Sequence, residues 1–246
     1  KFLKSWLKKK ISITTSTVVS FLITGAASYA VPSGKVNNAG ANSAAWSTHE
    51  GIVVFGHGSK AHVGGAVVLG ANAEANGSGE DSGIAVGRLA NANGTNAQAM
   101  GVNARASGAK ALAIGSDSVA QSERDTAIGA EANARSSPIL SGVQSKGVAI
   151  GNNSTAKGSV SIGDSSYSDY FGVAIGYKAG AQNTTFGASY SNVTIGSNTR
   201  VGVPGIQASQ GIAIGSGIKP DEGAWAKGDQ SISIGANTTA SGDSSI

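Results

Sequence analysis

The chain has 246 residues, of which 37 are glycine, 5% are aromatic and none is cysteine, so disulfides cannot stabilise it and a conventional core of large side chains is disfavoured. Its formal net charge of +4 does not indicate nucleic-acid binding. Five of the 18 basic residues and none of the 14 acidic ones lie in residues 1–30, which leaves 13 basic and 14 acidic residues in the rest.

The first 30 residues have the three parts of a secretory signal peptide. Lys1–Lys10 is basic, Ile11–Ala27 is apolar with several hydroxyl side chains, and small residues lead to a cleavage position at Ala30. A membrane anchor is the alternative, but the apolar run is short for a membrane span and is interrupted by serine and threonine. We therefore predict export. The mature chain would start at Val31, and no second long apolar segment follows that would contact a membrane.

Residues 31–50 do not show the repeat that follows them, and we predict that they form a lead-in or a cap. Trp46 is a candidate to cover the open end of the first coil. An exposed aromatic residue in a loose tail is the alternative.

From residue 51 onwards, a five-residue motif alternates apolar and small residues and ends in glycine, as in Gly147–Gly151 (GVAIG). Four of the first five spacings between closing glycines are 14 residues. Such periodicity predicts a stacked array of coils. The last copy is cut off at Ile246, and the chain starts with Lys1 rather than methionine, so we expect a piece of a longer protein. The thirteen complete copies close at Gly56, Gly70, Gly87, Gly101, Gly115, Gly129, Gly151, Gly163, Gly176, Gly187, Gly196, Gly215 and Gly235.

The positions within the motif predict a β-strand with two different faces. One and three residues before the glycine the side chain is mostly large and apolar, and we expect this face to fill the chain's own coil. The residue between them is never charged or long. A solvent-facing position would collect such side chains, so we predict that this second face packs against partner chains. The predicted partner-facing residues are Ala85, Ala99, Ala113, Ala127, Ala149, Ser161, Ala174, Ala213 and Ser233.

A second short strand is predicted after each glycine. Small residues recur at the third and fifth positions, as at Ala104 and Ala106, and another glycine often follows at the seventh. Glycines at both corners permit the tight turns. One period is then a coil of two strands and two turns, and thirteen coils at roughly 4.8 Å each make a rod on the order of 60 Å long.

Three longer spacings predict insertions that loop out of the coils, at 135–146, 200–210 and 217–230. Insertions in repeat proteins often carry recognition. The last one contains a Lys-Gly-Asp tripeptide, so Lys227 and Asp229 are candidate ligand contacts, with chance occurrence as the alternative.

An aromatic cluster supplies two further candidate ligand contacts, Tyr167 and Tyr170, which lie near Phe171 and Tyr177. Packing at a corner of the coil is the alternative. The histidines His49, His57 and His62 lack the carboxylate spacing of a metal site. No catalytic or nucleotide-binding signature occurs, so we predict a non-enzymatic protein without a cofactor.

The repeat resembles the head repeats of trimeric autotransporter adhesins, the YadA-like family. The resemblance covers about residues 51–246, and it is strongest where Φ-Ala-Ile-Gly is followed by Ala-x-Ala. The best segments are Lys110–Ser122 (KALAIGSDSVAQS), Asp125–Arg135 (DTAIGAEANAR), Gly147–Gly158 (GVAIGNNSTAKG) and Ser231–Gly242 (SISIGANTTASG).

The resemblance implies a left-handed parallel β-roll whose chains assemble as a homotrimer, which would make the partner-facing residues trimer-facing. It implies a surface adhesin that attaches a Gram-negative cell to host matrix proteins, to host cell receptors or to other bacteria. A stalk and an outer-membrane anchor would follow the head. Collagen-binding motifs of the family correspond to Val148, Ile150 and Ser154, although the leading Asn-Ser of that motif is missing here.

Two other functions share parts of this pattern. An inert rod that displays another domain would have the same repeats. A β-solenoid enzyme acting on polysaccharides would need clustered acidic and basic residues on adjacent coils, whereas this sequence scatters them.

Overall fold

The computed structural model describes residues 37–39, 44–45, 51–77, 82–136, 146–181, 191–202, 210–219 and 222–246, and its only regular elements there are β-strands. These strands alternate between two sheets of 13 strands each. The first sheet contains β1 (Asn37–Ala39), β3 (Val53–Phe55), β5 (Val67–Leu69), β7 (Ile84–Val86), β9 (Gln98–Met100), β11 (Leu112–Ile114), β13 (Thr126–Ile128), β15 (Val148–Ile150), β17 (Val160–Ile162), β19 (Val173–Ile175), β21 (Val193–Ile195), β23 (Ile212–Ile214) and β25 (Ile232–Ile234).

The second sheet contains the shorter strands of each coil. They are β2 (Ala44–Ala45), β4 (Lys60–Ala61), β6 (Glu74–Ala75), β8 (Asn91–Ala92), β10 (Arg105–Ala106), β12 (Val119–Ala120), β14 (Asn133–Arg135), β16 (Thr155–Lys157), β18 (Tyr167–Ser168), β20 (Gly180–Ala181), β22 (Arg200–Val201), β24 (Trp225–Ala226) and β26 (Thr239–Ala240).

Successive coils stack in parallel and in chain order. In each sheet the neighbours follow the sequence, so that β11 pairs with β9 and β13, and β12 pairs with β10 and β14. The predicted all-β, parallel β-roll is therefore confirmed. Twelve of the thirteen predicted copies coincide with a first-sheet strand, and the copy that closes at Gly187 lies outside the described residues.

The predicted lead-in contains one further coil. β1 pairs with β3 and β2 pairs with β4, both in parallel, so the interpretation that residues 31–50 lack the repeat is wrong for these segments. This coil is hard to recognise in the sequence. The motif that ends at Gly40 has Asn37 and Ala39 at the two positions where most other copies have large apolar residues.

Alanine and serine line the interior of the roll. Ala113 of β11 and Ala120 of β12 are completely buried, and so are their equivalents in most coils. The two sheets lie very close together, since a Cβ added to Gly83 would lie 3.2 Å from the Cβ of Ala75 in the opposite sheet. The largest side chains that are fully buried in the described residues are accordingly valines, such as Val54 and Val68.

This narrow interior reverses the predicted assignment of the two strand faces. The residue two before the closing glycine points into the chain's own coil, and the large apolar residues on either side of it point out. The prediction of partner contacts is wrong for the whole set, because side chains that are at most 3% exposed in a single chain cannot touch another one. That set is Ala85, Ala99, Ala113, Ala127, Ala149, Ser161, Ala174, Ala213 and Ser233.

The outer surfaces of the two sheets differ sharply in character. On the first sheet, the first and third residues of the strands from β3 onwards form a ridge of mostly Val, Ile, Leu, Phe and Met, with Gln98 and Thr126 as exceptions, which we call the apolar face. Phe55, Ile175 and Ile195 on this face are 37 to 38% exposed in the single chain. The outer side of the second sheet carries mainly polar residues, such as Lys60, Asn91 and Arg105, and we call it the polar face.

The closing glycine is required by the stacking as well as by the turn. Gly115 has a φ of +129°, and a Cβ built on it would lie 2.3 Å from the carbonyl oxygen of Gly129 in the next coil. Such a separation is far below a normal contact. The glycine at this position therefore sets how closely successive coils approach.

Insertions do not disturb the stacking register. Asn133 and Thr155 pair directly although 22 residues separate the closing glycines Gly129 and Gly151. The predicted signal peptide and its predicted cleavage position, Ala30, lie outside the described residues, and so do Trp46, Pro138, Pro204 and Pro220.

Candidate functional site

The polar face carries a row of side chains formed by the first residue of each second-sheet strand. Because these strands are in register, the row runs parallel to the axis of the stack. From β4 to β26 its members are Lys60, Glu74, Asn91, Arg105, Val119, Asn133, Thr155, Tyr167, Gly180, Arg200, Trp225 and Thr239. The row changes from mixed polar residues to aromatic and cationic residues in the C-terminal half.

In the N-terminal half the row borders a shallow groove of about 530 Å³ between the second-sheet strands and the adjacent turns. The turn residues have positive φ angles, which asparagine tolerates well, as at Asn72 and Asn103. The side-chain amide of Asn103 donates a hydrogen bond to Oδ1 of Asp117 in the next coil at 2.7 Å. This bond and one from Ser116 lower the pKa of Asp117.

In the C-terminal half the row is interrupted by a glycine. Gly180 pairs with Tyr167 on one side and with Arg200 on the other. In the described strands from β4 onwards, every other member of the row has a side chain larger than alanine. The gap opens into a notch of about 350 Å³, and it is lined by Ser165, Tyr167, Lys178, Ala179, Gly180, Asn198 and Arg200.

A buried ion pair fixes the Tyr167 side of this notch. The phenol of Tyr167 donates to Oδ1 of Asp169 at 2.7 Å, and Nζ of Lys157 lies 3.2 Å from the same oxygen and also contacts the phenol oxygen. Asp169 is 1% exposed. Burial raises the pKa of Tyr167, and the hydrogen bond to Asp169 raises it further, so the phenol stays protonated.

Two buried polar atoms near this cluster have no hydrogen-bond partner in the described part of the chain. They are Oδ2 of Asp169 and Nε of Arg135. Arg135 ends β14, directly before the first insertion.

The Arg200 side of the notch is held by an indole ring. The guanidinium carbon of Arg200 lies 5.7 Å from the ring centre of Trp225, and Nζ of Lys227 lies 4.2 Å from it. Both distances are typical of cation–π contacts. The indole nitrogen donates to the carbonyl of Gly202 at 2.7 Å, which fixes the ring.

A second buried carboxylate anchors the first insertion. Asp125 is fully buried, and its oxygens accept hydrogen bonds from the backbone amides of Ser122 at 2.7 Å and Gly147 at 2.8 Å. Gly147 stands where the chain re-enters the stack after the insertion. Asp125 therefore ties the returning chain to the coil before it.

The structure separates the predicted ligand contacts rather than gathering them. Val148 and Ile150 lie on the apolar face, on the opposite side of the roll from Tyr167, and they are partly exposed. Ser154 is fully buried in the coil, so its prediction as a ligand contact is wrong, because no ligand can reach it. Of the other candidates, Tyr167 borders the notch and Tyr170 is partly exposed.

Lys227 and Asp229 follow β24, which lies three strands from β18 in the second sheet. Lys227 contacts Trp225, whereas Asp229 is exposed. The sequence did not reveal Lys178, Gly180 and Arg200 of the notch, or Trp225, which contacts Arg200.

Among the described residues, no group of three or more acidic, histidine or cysteine residues is placed to hold a metal ion. His62 instead lies 3.3 Å from Glu74. The described part of the chain also contains no helix with the length and apolar character to cross a membrane.

Comparison with protein families identifies the repeat. The family model for the YadA head domain repeat (2 copies) matches residues 80–104, 92–118, 106–132 and 226–246. The chain carries a YadA-like head repeat domain. A search of curated proteins finds no match to the chain.

The matches to the YadA head repeat fall on the coils of the stack. Residues 80–132 contain β7 to β13, and residues 226–246 contain β25 and β26. The YadA head is a structural adhesin domain, and the matched coils are similar to it. The notch between Tyr167 and Arg200 lies between the two matched regions, on coils with the same two-sheet geometry.

Proposed function

We propose that this YadA-like head repeat domain is the head of a surface adhesin that attaches a Gram-negative bacterium to host matrix proteins, to host cells or to other bacteria. The observation that carries the proposal is the match of the stacked coils to the YadA head domain repeat. In this proposal residues 1–30 direct export, and the head is presented at the outer surface of the cell.

The apolar face supports a homotrimer. Monomeric soluble proteins rarely expose contiguous apolar patches larger than a few hundred Å². Here the ridge continues through every described first-sheet strand from β3 to β25, and residues such as Ile175 and Ile195 leave more than a third of their surface uncovered in one chain. We propose that three copies pack their apolar faces around a common axis, which leaves the polar face of each copy accessible.

The adhesin proposal is tested by attachment of the isolated head. Residues 31–246 would be fused to a trimeric coiled coil, and the oligomeric state would be measured by analytical ultracentrifugation. We expect a stable trimer that binds immobilised matrix proteins or epithelial cells in a saturable manner. The coiled coil alone is the control.

Two results would contradict parts of this proposal. If the three heads stay apart from one another although the fused coiled coil holds them in one particle, the homotrimeric head is refuted. A folded trimer that neither attaches to matrix or cells nor makes bacteria aggregate would favour the rod that only displays another domain.

A further inference from the structure

We propose that the notch over Gly180 binds an acidic sugar, a pyranose that bears a carboxylate or a sulfate. This inference rests on the proposed adhesin function for its biological setting. Its physical basis is the gap in the row of the polar face, together with the side chains that border the gap.

The dimensions of the notch fit one sugar ring. Tyr167, Gly180 and Arg200 are successive members of one row, each in register with the next. Neighbouring strands are about 4.8 Å apart, so the Tyr167 and Arg200 strands are separated by roughly 10 Å. The missing side chain of Gly180 leaves a space one coil wide between an aromatic ring and a guanidinium group. A volume of about 350 Å³ holds a pyranose with its substituents.

The chemistry of the walls favours a sugar that carries a negative charge. An aromatic ring such as that of Tyr167 packs against the C–H face of a pyranose. The fork of Arg200 matches a carboxylate or sulfate in two parallel hydrogen bonds, and Lys178 adds a second positive charge. The amide nitrogen of Asn198 already donates to Oγ of Ser197 and to the carbonyl of Gly217, so Asn198 is a fixed part of the wall rather than a donor to the sugar. A free phosphate would use the cations but not the aromatic wall.

The walls are held in place before any ligand arrives. The phenol of Tyr167 is fixed by Asp169 and Lys157, and the guanidinium of Arg200 makes a cation–π contact with Trp225, whose ring is itself fixed through Gly202. Such preorganisation lowers the entropic cost of binding. The charges of Lys157 and Asp169 compensate each other, and the charged residues that line the notch itself are Lys178 and Arg200.

The notch lies where a sugar on another surface could reach it in the proposed trimer. It lies on the polar face, and the proposed trimer would bury the apolar face of the opposite sheet. The notch also lies beside the turn that contains Lys178, which is exposed. A sugar on the surface of another cell could therefore reach the notch from the polar face of the rod.

The test measures binding of small saccharides to the full 246-residue chain by calorimetry. The probes are sialyllactose, which bears a carboxylate, lactose 6-sulfate, which bears a sulfate, and neutral lactose. We expect saturable binding of at least one acidic probe, at least tenfold tighter than that of lactose, with an affinity that falls as salt is added.

Three variants separate the notch from general surface charge. Arg200→Gln should weaken binding about tenfold through loss of the charged fork, and Lys178→Asn should weaken it about threefold. Asparagine suits position 178 because the backbone there has a φ of +52°. The matched control is Arg105→Gln, which changes the same position of another coil where Asn91 and Val119 leave no gap in the row.

Specific outcomes would overturn the inference. It fails if lactose binds as tightly as the acidic probes, if neither acidic probe binds, or if Arg105→Gln weakens binding as much as Arg200→Gln. It also fails if a glutamate-rich hexapeptide binds the notch more tightly than either acidic sugar. Failure of the adhesin function is distinguishable, because a head that does not attach to cells can still bind the saccharides in the calorimeter.

Discussion

Replacement of one closing glycine should reveal how strongly the coils depend on close backbone stacking. In Gly115→Ala, the new Cβ would lie 2.3 Å from the carbonyl oxygen of Gly129. To reach even 3.0 Å, the shortest separation that real Cβ atoms show, the two coils must move apart by about 0.7 Å. The hydrogen bond from the amide of Gly129 to the carbonyl of Ile114, now 2.7 Å, would lengthen with them.

The expected loss of stability has two parts. The backbone conformation of Gly115, with φ at +129°, costs a non-glycine residue about 1–3 kcal/mol. Forcing an extra atom between packed elements costs about another 1–3 kcal/mol. We therefore expect Gly115→Ala to lower the free energy of unfolding by about 2–6 kcal/mol.

Gly235 provides the matched control. Its φ of +121° imposes a similar backbone strain, but the nearest atom to its added Cβ is Cγ2 of Thr238 at 3.1 Å, a side-chain methyl rather than the backbone of another coil. Gly235→Ala should therefore show only the first part of the cost, about 1–3 kcal/mol.

Urea unfolding of the wild type and both variants at one protein concentration measures the difference. Hydrogen exchange at the amide of Gly129 adds a local readout, because this amide bonds across the affected junction. Equal losses in the two variants, with unchanged protection at Gly129, would refute the idea that contact between coils requires this glycine.

Three further predictions follow from the interior, the buried carboxylate and the apolar face. Ala113→Leu should lower the free energy of unfolding by about 1–3 kcal/mol in urea titrations because the interior is too narrow for leucine, and an unchanged midpoint would contradict that geometry. Asp125→Ala should cost about 2–4 kcal/mol because two buried amides lose their acceptor, whereas Asp117→Asn, at an exposed position whose φ of +56° asparagine tolerates, should change the urea midpoint little. Ile175→Lys should give a folded monomer by circular dichroism and ultracentrifugation, and a trimer that survives this change would exclude the apolar face as the interface.

The sequence was sufficient to predict the fold but not the direction of its faces. Alternation around a residue such as Ala113 defines two faces of a strand, and it does not say which one points inward. The size of the side chains suggested that the large ones fill the coil. That inference failed because tight turns at both corners bring the sheets so close that only small residues fit. A useful signal was present, since Ala104 and Ala106 of the second strand are equally small.

The notch was missed because it depends on register across loops of unequal length. Tyr167, Gly180 and Arg200 are 13 and 20 residues apart, so no fixed period connects them. Only the strand pairing places them in one row. The first coil was missed for a different reason, because neither Asn37 nor Ala39 is large and apolar, whereas every later copy has a large apolar residue directly before its closing glycine.

The direction of the hydrogen bonds determines how the rod responds to pulling. Bonds such as those from Leu112 to Asp125 at 2.9 Å and from Gln121 to Ala134 at 3.0 Å connect one coil to the next, so they lie along the long axis. Tension on the rod loads these bonds directly, and every junction carries the whole force because the junctions are in series. The weakest junction then sets the force at which a coil peels away. Side-by-side chains would share that load.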